Sequence, residues 1–372
     1  MRNLPPLILG LSFLTTALPI FAQDTKLSAD RQAKIETAIS HFMAEGSLPG
    51  LSVAVVEDGA YVWSAGFGMA DLENDVPATS LTLYRLGSIS KPLTAVGAMQ
   101  LWEQGKLDLD APVQKYCPEF PQRDTVITTR EVLGHLGGIR HYRSDSPDDL
   151  EVYNIKHFAD PIEAGLRFFE FDPLVDTPGN HFHYSTQGYT LVGCIMQGAS
   201  GQKYVAYLRD RVLLPAHMEQ TQADDRYAVI AHRTRFYQKD KSGQVVNADF
   251  LDSSYKIPGG GWLSSAVDVA HFEVAMLNDQ LVRRATRDLM WTPLKAGDGS
   301  EDTYALGWGV RKIASVNAVG HNGGQQGTST AFLLAPERRA GVVVLINLEG
   351  GHADDLAQQL LRIVLDLPDE KK

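Results

Sequence analysis

The chain has 372 residues, 44% of them hydrophobic, and a formal net charge of -11. That length allows a large core, arranged as two domains or as one domain with a sizeable insertion. Its acidic balance excludes a nucleic-acid backbone as partner, because that needs a basic face and the longest basic runs are pairs such as Arg283-Arg284.

The first residues, MRNLPPLILGLSFLTTALPIFAQDTK, carry one early basic residue, Arg2, then an apolar stretch from Leu4 to Phe21 and a small-residue boundary at Ala22. This pattern predicts an export signal over 1–22 and a mature chain that starts at Gln23, periplasmic or secreted. Pro5, Pro6 and Pro19 interrupt the run and no basic stop-transfer cluster follows, which argues against a retained anchor and against stable membrane insertion.

Next, KLSADRQAKIETAISHFMAEG places Ile35, Ala38, Ile39, Phe42 and Met43 along one helical face. LSVAVVEDGAYVWSAGF then reads as two strands joined at Asp58-Gly59, a strong hairpin signal. Near the other end ALGWGVRKI, GTSTAFLLAP and AGVVVLINL read as three further strands, and DDLAQQLLRIVLDL as a closing amphipathic helix. The middle has a mostly helical pattern with Pro/Gly-rich joints. The expected fold is therefore α/β (α+β): a five-stranded antiparallel sheet from 23–94 and 256–372, flanked by terminal helices, with a helical region inserted at 95–255. A site is expected in the cleft between the two parts.

Two cysteines, Cys117 and Cys194, make no disulfide framework; one bridge stays open, but isolated cysteines are more often small buried hydrophobes. His181 and His183 form an HxH pair with no carboxylate or third histidine at a helpful spacing, so no metal is expected.

Three places carry chemistry-bearing residues. In Ser88-Ile89-Ser90-Lys91 the serine fits an N-cap of the helix that runs to Gln104, which would explain it without catalysis. The alternative is a nucleophile at a helix N-terminus, with Lys91 at i+3 as its proton acceptor. In HFHYSTQGYTLVG, Tyr184 is a packing residue unless it faces Lys91, whose charge would lower the phenol and make a phenolate base for Ser88. In AVGHNGGQQGTSTAFLL a strand carries His321-Asn322-Gly323-Gly324, where glycines permit close approach and the Gly324 and Ser88 N–H groups would bind an oxyanion.

In this order, S-x-x-K, Y-S-T and H-N-G resemble the three motifs of the penicillin-recognising serine hydrolases, over nearly the whole exported chain. TTREVLGHLGGIRHY, IPGGGWLSSAVDVAHF and YALGWGV are similar to the class C beta-lactamase branch. LWEQGKLDLDAPVQKYCPEFP, GIRHYR and SYKIPGGGWLSS are most similar to its mitochondrial serine-protease-like members of animals, from which the chain departs in its export signal and in lacking a long insertion after GIRHYR.

The resemblance implies Ser88 as acylated nucleophile, Lys91 as its partner, Tyr184 as base, and a substrate-binding set of Thr186, His321, Asn322 and Gly323. It implies no metal and no organic cofactor. Thr186 stands where beta-lactamases of this branch have asparagine, and His321-Asn322 where they have Lys-Thr, so less charge faces a substrate carboxylate. The expected function is a peptidase or amidase acting on small peptide, amide or ester substrates. The alternatives are a carboxylesterase or weak beta-lactamase, and a non-catalytic penicillin-binding or scaffold module. Self-assembly into a homo-oligomer stays open.

Overall fold

A computed structural model of the chain describes residues 26–142, 154–299 and 303–368. The expected signal at 1–22 lies outside them. The first helix, α1 (Ala29–Gly46), starts at Ser28, whose side chain accepts the Arg31 N–H, and buries Ile35, Ala38 and Ile39. Strands β1 (Gly50–Glu57) and β2 (Ala60–Asp71) follow, joined where Asp58 and Gly59 both take positive φ (51° and 74°). That is the backbone of the tight hairpin turn expected from Asp-Gly.

A two-residue edge strand, β3 (Val76–Pro77), completes this side. After the middle region come β4 (Gly309–Ile313), β5 (Val316–Gln325), β6 (Thr328–Ala335) and β7 (Ala340–Ile346). The sheet has seven strands, in the order β3-β2-β1-β7-β6-β5-β4, and every pairing is antiparallel. Five were expected. The additional two are the short edge strand β3 and the glycine-rich β5, the strand read at His321–Gly324 but not counted among the five, which is a full sheet member because its backbone pairs with β4 on one side and β6 on the other.

Alternation sorts the apolar residues into two cores. Val53, Val55, Leu333, Val342 and Val344 face α1 and the C-terminal helix Ala353–Val364. Ala54, Val56, Phe332, Val343 and Leu345 face the opposite side, against the helices that follow Ser88. Strands covered on both faces need continuous apolar runs, which is how β1 and β7 read.

The inserted region is less helical than its pattern suggests. It has a long helix, Thr186–Ser200, and shorter ones at Thr129–Leu133, Pro161–Leu166 and Tyr204–Leu208, but also a two-stranded hairpin, Tyr237–Lys239 with Val245–Asn247. Cys117 and Cys194 are joined by a disulfide. Of the two readings the sequence left open, the bridge is the one the structure has, since tertiary contact brings together residues 77 apart in sequence. Among the described residues no helix is long and apolar enough to cross a membrane.

Candidate active site

Ser88 is not a helix cap. The helix expected from it begins two residues later, at Ser90–Glu103, and Ser88 sits in a separate turn, Gly87–Ile89, with no side-chain cap bond. Gly87 has φ of +52°, and a Cβ on it would lie 2.9 Å from Gly324 N. A Cβ on Gly323 would lie 2.1 Å from the Leu86 carbonyl oxygen and 3.0 Å from Ser88 N. Both positions need glycine, because the Ser88 turn and β5 run against one another at backbone distance. Nothing stands within 4 Å of a Cβ on Gly324, which opens onto the cavity beside Ser88.

The Ser88 hydroxyl points into a cluster assembled from three distant segments. Tyr184 donates its O–H to Ser88 Oγ at 2.7 Å. On the other side Lys91 Nζ lies 2.9 Å from Ser88 Oγ, and donates to the Gly259 carbonyl (2.8 Å) and to Thr186 Oγ1 (3.2 Å). Lys91 is fully buried. Burial, reinforced by the charge of Lys256, holds its amine well below the ordinary lysine range. A neutral amine has two N–H bonds and one lone pair. The carbonyl and the threonine take the two hydrogens, which leaves the lone pair for the Ser88 proton.

The phenolate expected at Tyr184 is corrected. Lys91 Nζ does lie over its ring, 4.7 Å from the centroid, but burial raises the phenol above its ordinary value and it stays protonated. The reason is that the cation meant to lower it is itself driven neutral. The arrangement is a relay of neutral groups, from Tyr184 O–H to Ser88 O–H to Lys91.

Local structure fixes the tyrosine. Ser185 caps the helix Thr186–Ser200, accepting the Gly188 N–H and donating to the Arg140 carbonyl. Its own N–H donates to His135 Nδ1, and the His135 ring packs 4.4 Å from the ring of Tyr184. His135 and His141 are both held neutral by burial, His141 down to about 4.

His321 is buried and locked. Its Nδ1 bonds the Asn322 carbonyl (2.6 Å), which can only accept, so Nδ1 carries the proton and Nε2 accepts the Tyr304 O–H (2.9 Å). Burial pushes the imidazole down to about 3, so it supplies no cation at working pH. Asn322 is exposed, and with Gly323 and Tyr184 it lines a second cavity that also opens on Ser88. Thr186, Gly324 and Ser88 line the first.

Sequence reasoning did not single out His135, Tyr304, Tyr142 or Lys256, although all four lie in the quoted motifs. It also found no carboxylate for His181 and His183, but Asp176 Oδ2 lies 2.6 Å from His181 Nδ1 and 3.1 Å from His183 Nε2. Those hydrogen bonds hold the Asp176 carboxyl well below the usual range.

The beta-lactamase family model matches residues 35–365. The mouse "Serine beta-lactamase-like protein LACTB, mitochondrial" is 34% identical, over 79% of this chain and 70% of the relative. "Protein flp" of Staphylococcus aureus (strain MRSA252) is 28% identical, over 90% of this chain and 66% of the relative. Among solved structures, the octameric penicillin-binding protein homologue from Pyrococcus abyssi superposes with a TM-score of 0.78 at 28% identity, covering 90% of this chain and 78% of that one. The D-amino acid amidase from Ochrobactrum anthropi SV3 shares the fold, at a TM-score of 0.78 and 21% identity, over 91% and 99% of the two chains.

Proposed function

Because the chain belongs to the beta-lactamase family, whose members are serine acyl-transferases and hydrolases, we propose that it is a serine hydrolase that forms an acyl-enzyme on Ser88 and cleaves peptide or other amide bonds. The observation that carries this reading is the position of Ser88 Oγ between Tyr184 Oη at 2.7 Å and Lys91 Nζ at 2.9 Å.

Lys91 takes the Ser88 proton as Oγ attacks the substrate carbonyl. The Ser88 and Gly324 backbone N–H groups stabilise the oxyanion, and Tyr184 delivers a proton to the leaving nitrogen. Water then attacks the acyl-enzyme along the same relay in reverse. A proton donor beside the leaving group matters more for amines than for alcohols, which supports amide over ester cleavage. Esterase activity on small acyl substrates is the second reading, since the same serine acylates on either. Efficient beta-lactam hydrolysis is disfavoured by Thr186 and by the neutral, Tyr304-bound His321.

Action outside the cytoplasm, periplasmic or secreted, is part of this proposal. The apolar N-terminal pattern supports it, and so does the Cys117–Cys194 bridge, which persists in oxidising compartments. The octameric state named for the Pyrococcus relative makes self-assembly part of it as well.

Fluorophosphonate labelling tests the reading. Wild type is expected to label, Ser88→Ala to lose labelling and turnover, and Ser90→Ala to keep labelling, because Ser90 Oγ is buried and accepts the Trp262 N–H instead. An unlabelled wild type would leave the non-catalytic scaffold reading.

A further inference from the structure

The cavity on the Thr186 side of Ser88, about 180 Å³, is lined by a second lysine that the relay does not use. Lys256 is only 5% exposed. Its backbone is pinned: the amide donates to the Ser253 carbonyl, and its own carbonyl accepts from Gly259 and Gly260. Its Nζ lies 5.5 Å from the Tyr142 ring centre and 5.4 Å from that of Tyr255. Among the described residues no hydrogen-bond acceptor or carboxylate meets this Nζ. Asp224, the acid whose field reaches it, is committed elsewhere: Oδ2 accepts Arg85 Nε at 2.8 Å and Oδ1 accepts Arg233 Nη1 at 3.4 Å.

A buried ammonium without a counter-ion is costly, and such groups are retained when something else pairs with them. A second donor in the same cavity points the same way: Gln325 Nε2 is buried and meets no acceptor. Lys256 lines only the first of the two cavities that open on the nucleophile, whereas Gln325 lines both.

The relay decides which part of the substrate enters that recess. The group that protonates the leaving atom must stand beside it, so the leaving group lies on the Tyr184 side, in the cavity with Asn322 and Gly323. Tyr184 does not line the Lys256 cavity, which therefore receives the acyl part.

We propose that Lys256, assisted by Gln325, is a specificity-determining residue that binds a carboxylate on the acyl portion of the substrate, so that the preferred acyl groups are acidic. This rests on the hydrolase reading above and deepens it by naming the substrate class. Burial and the neighbouring charge of Arg85 bring the Lys256 amine down to about 7, so the free site is poised between its two forms and a bound carboxylate draws it to the charged one.

The test uses 4-nitrophenyl monoesters of dicarboxylic acids from glutarate to suberate, each paired with the analogue in which the free carboxylate is a carboxamide, with spontaneous hydrolysis subtracted. Wild type is expected to favour at least one acid over its amide by about tenfold or more in kcat/KM. Lys256→Met should reduce that ratio to about one, and Lys256→Arg should restore part of it. The ratio is the readout because Lys256 also influences Lys91, and that influence acts on both members of a pair. A wild type that turns over acids and amides alike overturns the assignment even if the variants fail to fold. A chain inert toward every ester and toward fluorophosphonate overturns the hydrolase reading, and this assignment with it.

Discussion

If Tyr184 serves the leaving group and Lys91 the nucleophile, replacing each should have a different dependence on the leaving group. Tyr184→Phe keeps the ring that packs on His135 and removes only the O–H that lies 2.7 Å from Ser88 Oγ. For an anilide, whose nitrogen cannot leave unprotonated, loss of a positioned general acid lowers acylation by about 10²–10⁴-fold, or roughly 3–5 kcal/mol. For the matching 4-nitrophenyl ester the phenolate leaves unaided. The loss there should be about tenfold, the worth of one hydrogen bond to the nucleophile. Lys91→Met removes the acceptor of the Ser88 proton, which both substrates need, so ester and anilide should fall together. The assay is kcat/KM for the pair in wild type and both variants, across pH. The amine must be neutral to act, so activity is lost as pH falls through the lowered Lys91 value. The phenol must be protonated, so anilide cleavage is lost only well into the alkaline range, where Tyr184 ionises. Equal losses on ester and anilide in Tyr184→Phe would refute the division of labour.

Two further outcomes concern stability. Glu273 is fully buried, Oε2 abuts Gly341, and neither carboxyl oxygen has a hydrogen-bond partner among the described residues. Burial therefore raises its carboxyl well above the ordinary value. The unfolded chain releases that proton first, so each pH unit above the unfolded value lowers stability by about 1.4 kcal/mol until the folded group also ionises. Glu273→Gln should match wild type in acid and gain on it steadily as pH rises above the unfolded carboxyl range in urea unfolding; parallel curves would contradict it. Reducing the Cys117–Cys194 bridge releases a loop of 77 residues, which in the chain-entropy treatment costs about 4–5 kcal/mol. An unchanged urea midpoint after reduction would show that the bridge is not formed.

What the sequence disclosed, and what it hid, follows from how local each feature is. Asp58-Gly59 was legible because a tight turn needs positive φ at adjacent residues, a property of those two positions alone. The apolar runs of β1 and β7 were legible because burial on both faces leaves no polar alternation to detect. Ser88 was ambiguous for the opposite reason: a capping serine and a nucleophile look alike until Tyr184, 96 residues away, and Gly259, 168 residues beyond Lys91, are placed. Asp176 beside the two histidines and the bridge between Cys117 and Cys194 were hidden in the same way. The phenolate failed because the charge state of Lys91 was assumed, and only burial reveals that it is neutral. Glu273 gave no signal, since a glutamate on a helix ordinarily faces water.

The neutrality of the resting site has a further consequence for how it must work. His135, His141 and His321 are all held uncharged by burial, Tyr184 is protonated, and Lys91 is an amine. No ion pair exists in the relay before substrate arrives. In the proposed mechanism, attack by Ser88 creates an oxyanion and an ammonium together in a largely buried cluster, where separated charge is expensive unless both ions are met at once. The ammonium is met by the Gly259 carbonyl and Thr186 hydroxyl that already hold Lys91. The oxyanion is met only if the Ser88 and Gly324 backbones stay at their present separation. That separation is set by Gly87 and Gly323, each of which would drive a Cβ into the facing backbone. The two glycines therefore belong to the charge balance of the reaction as much as the lysine does: without their clearance, proton transfer to Lys91 would leave an unstabilised alkoxide and would reverse before the acyl-enzyme formed.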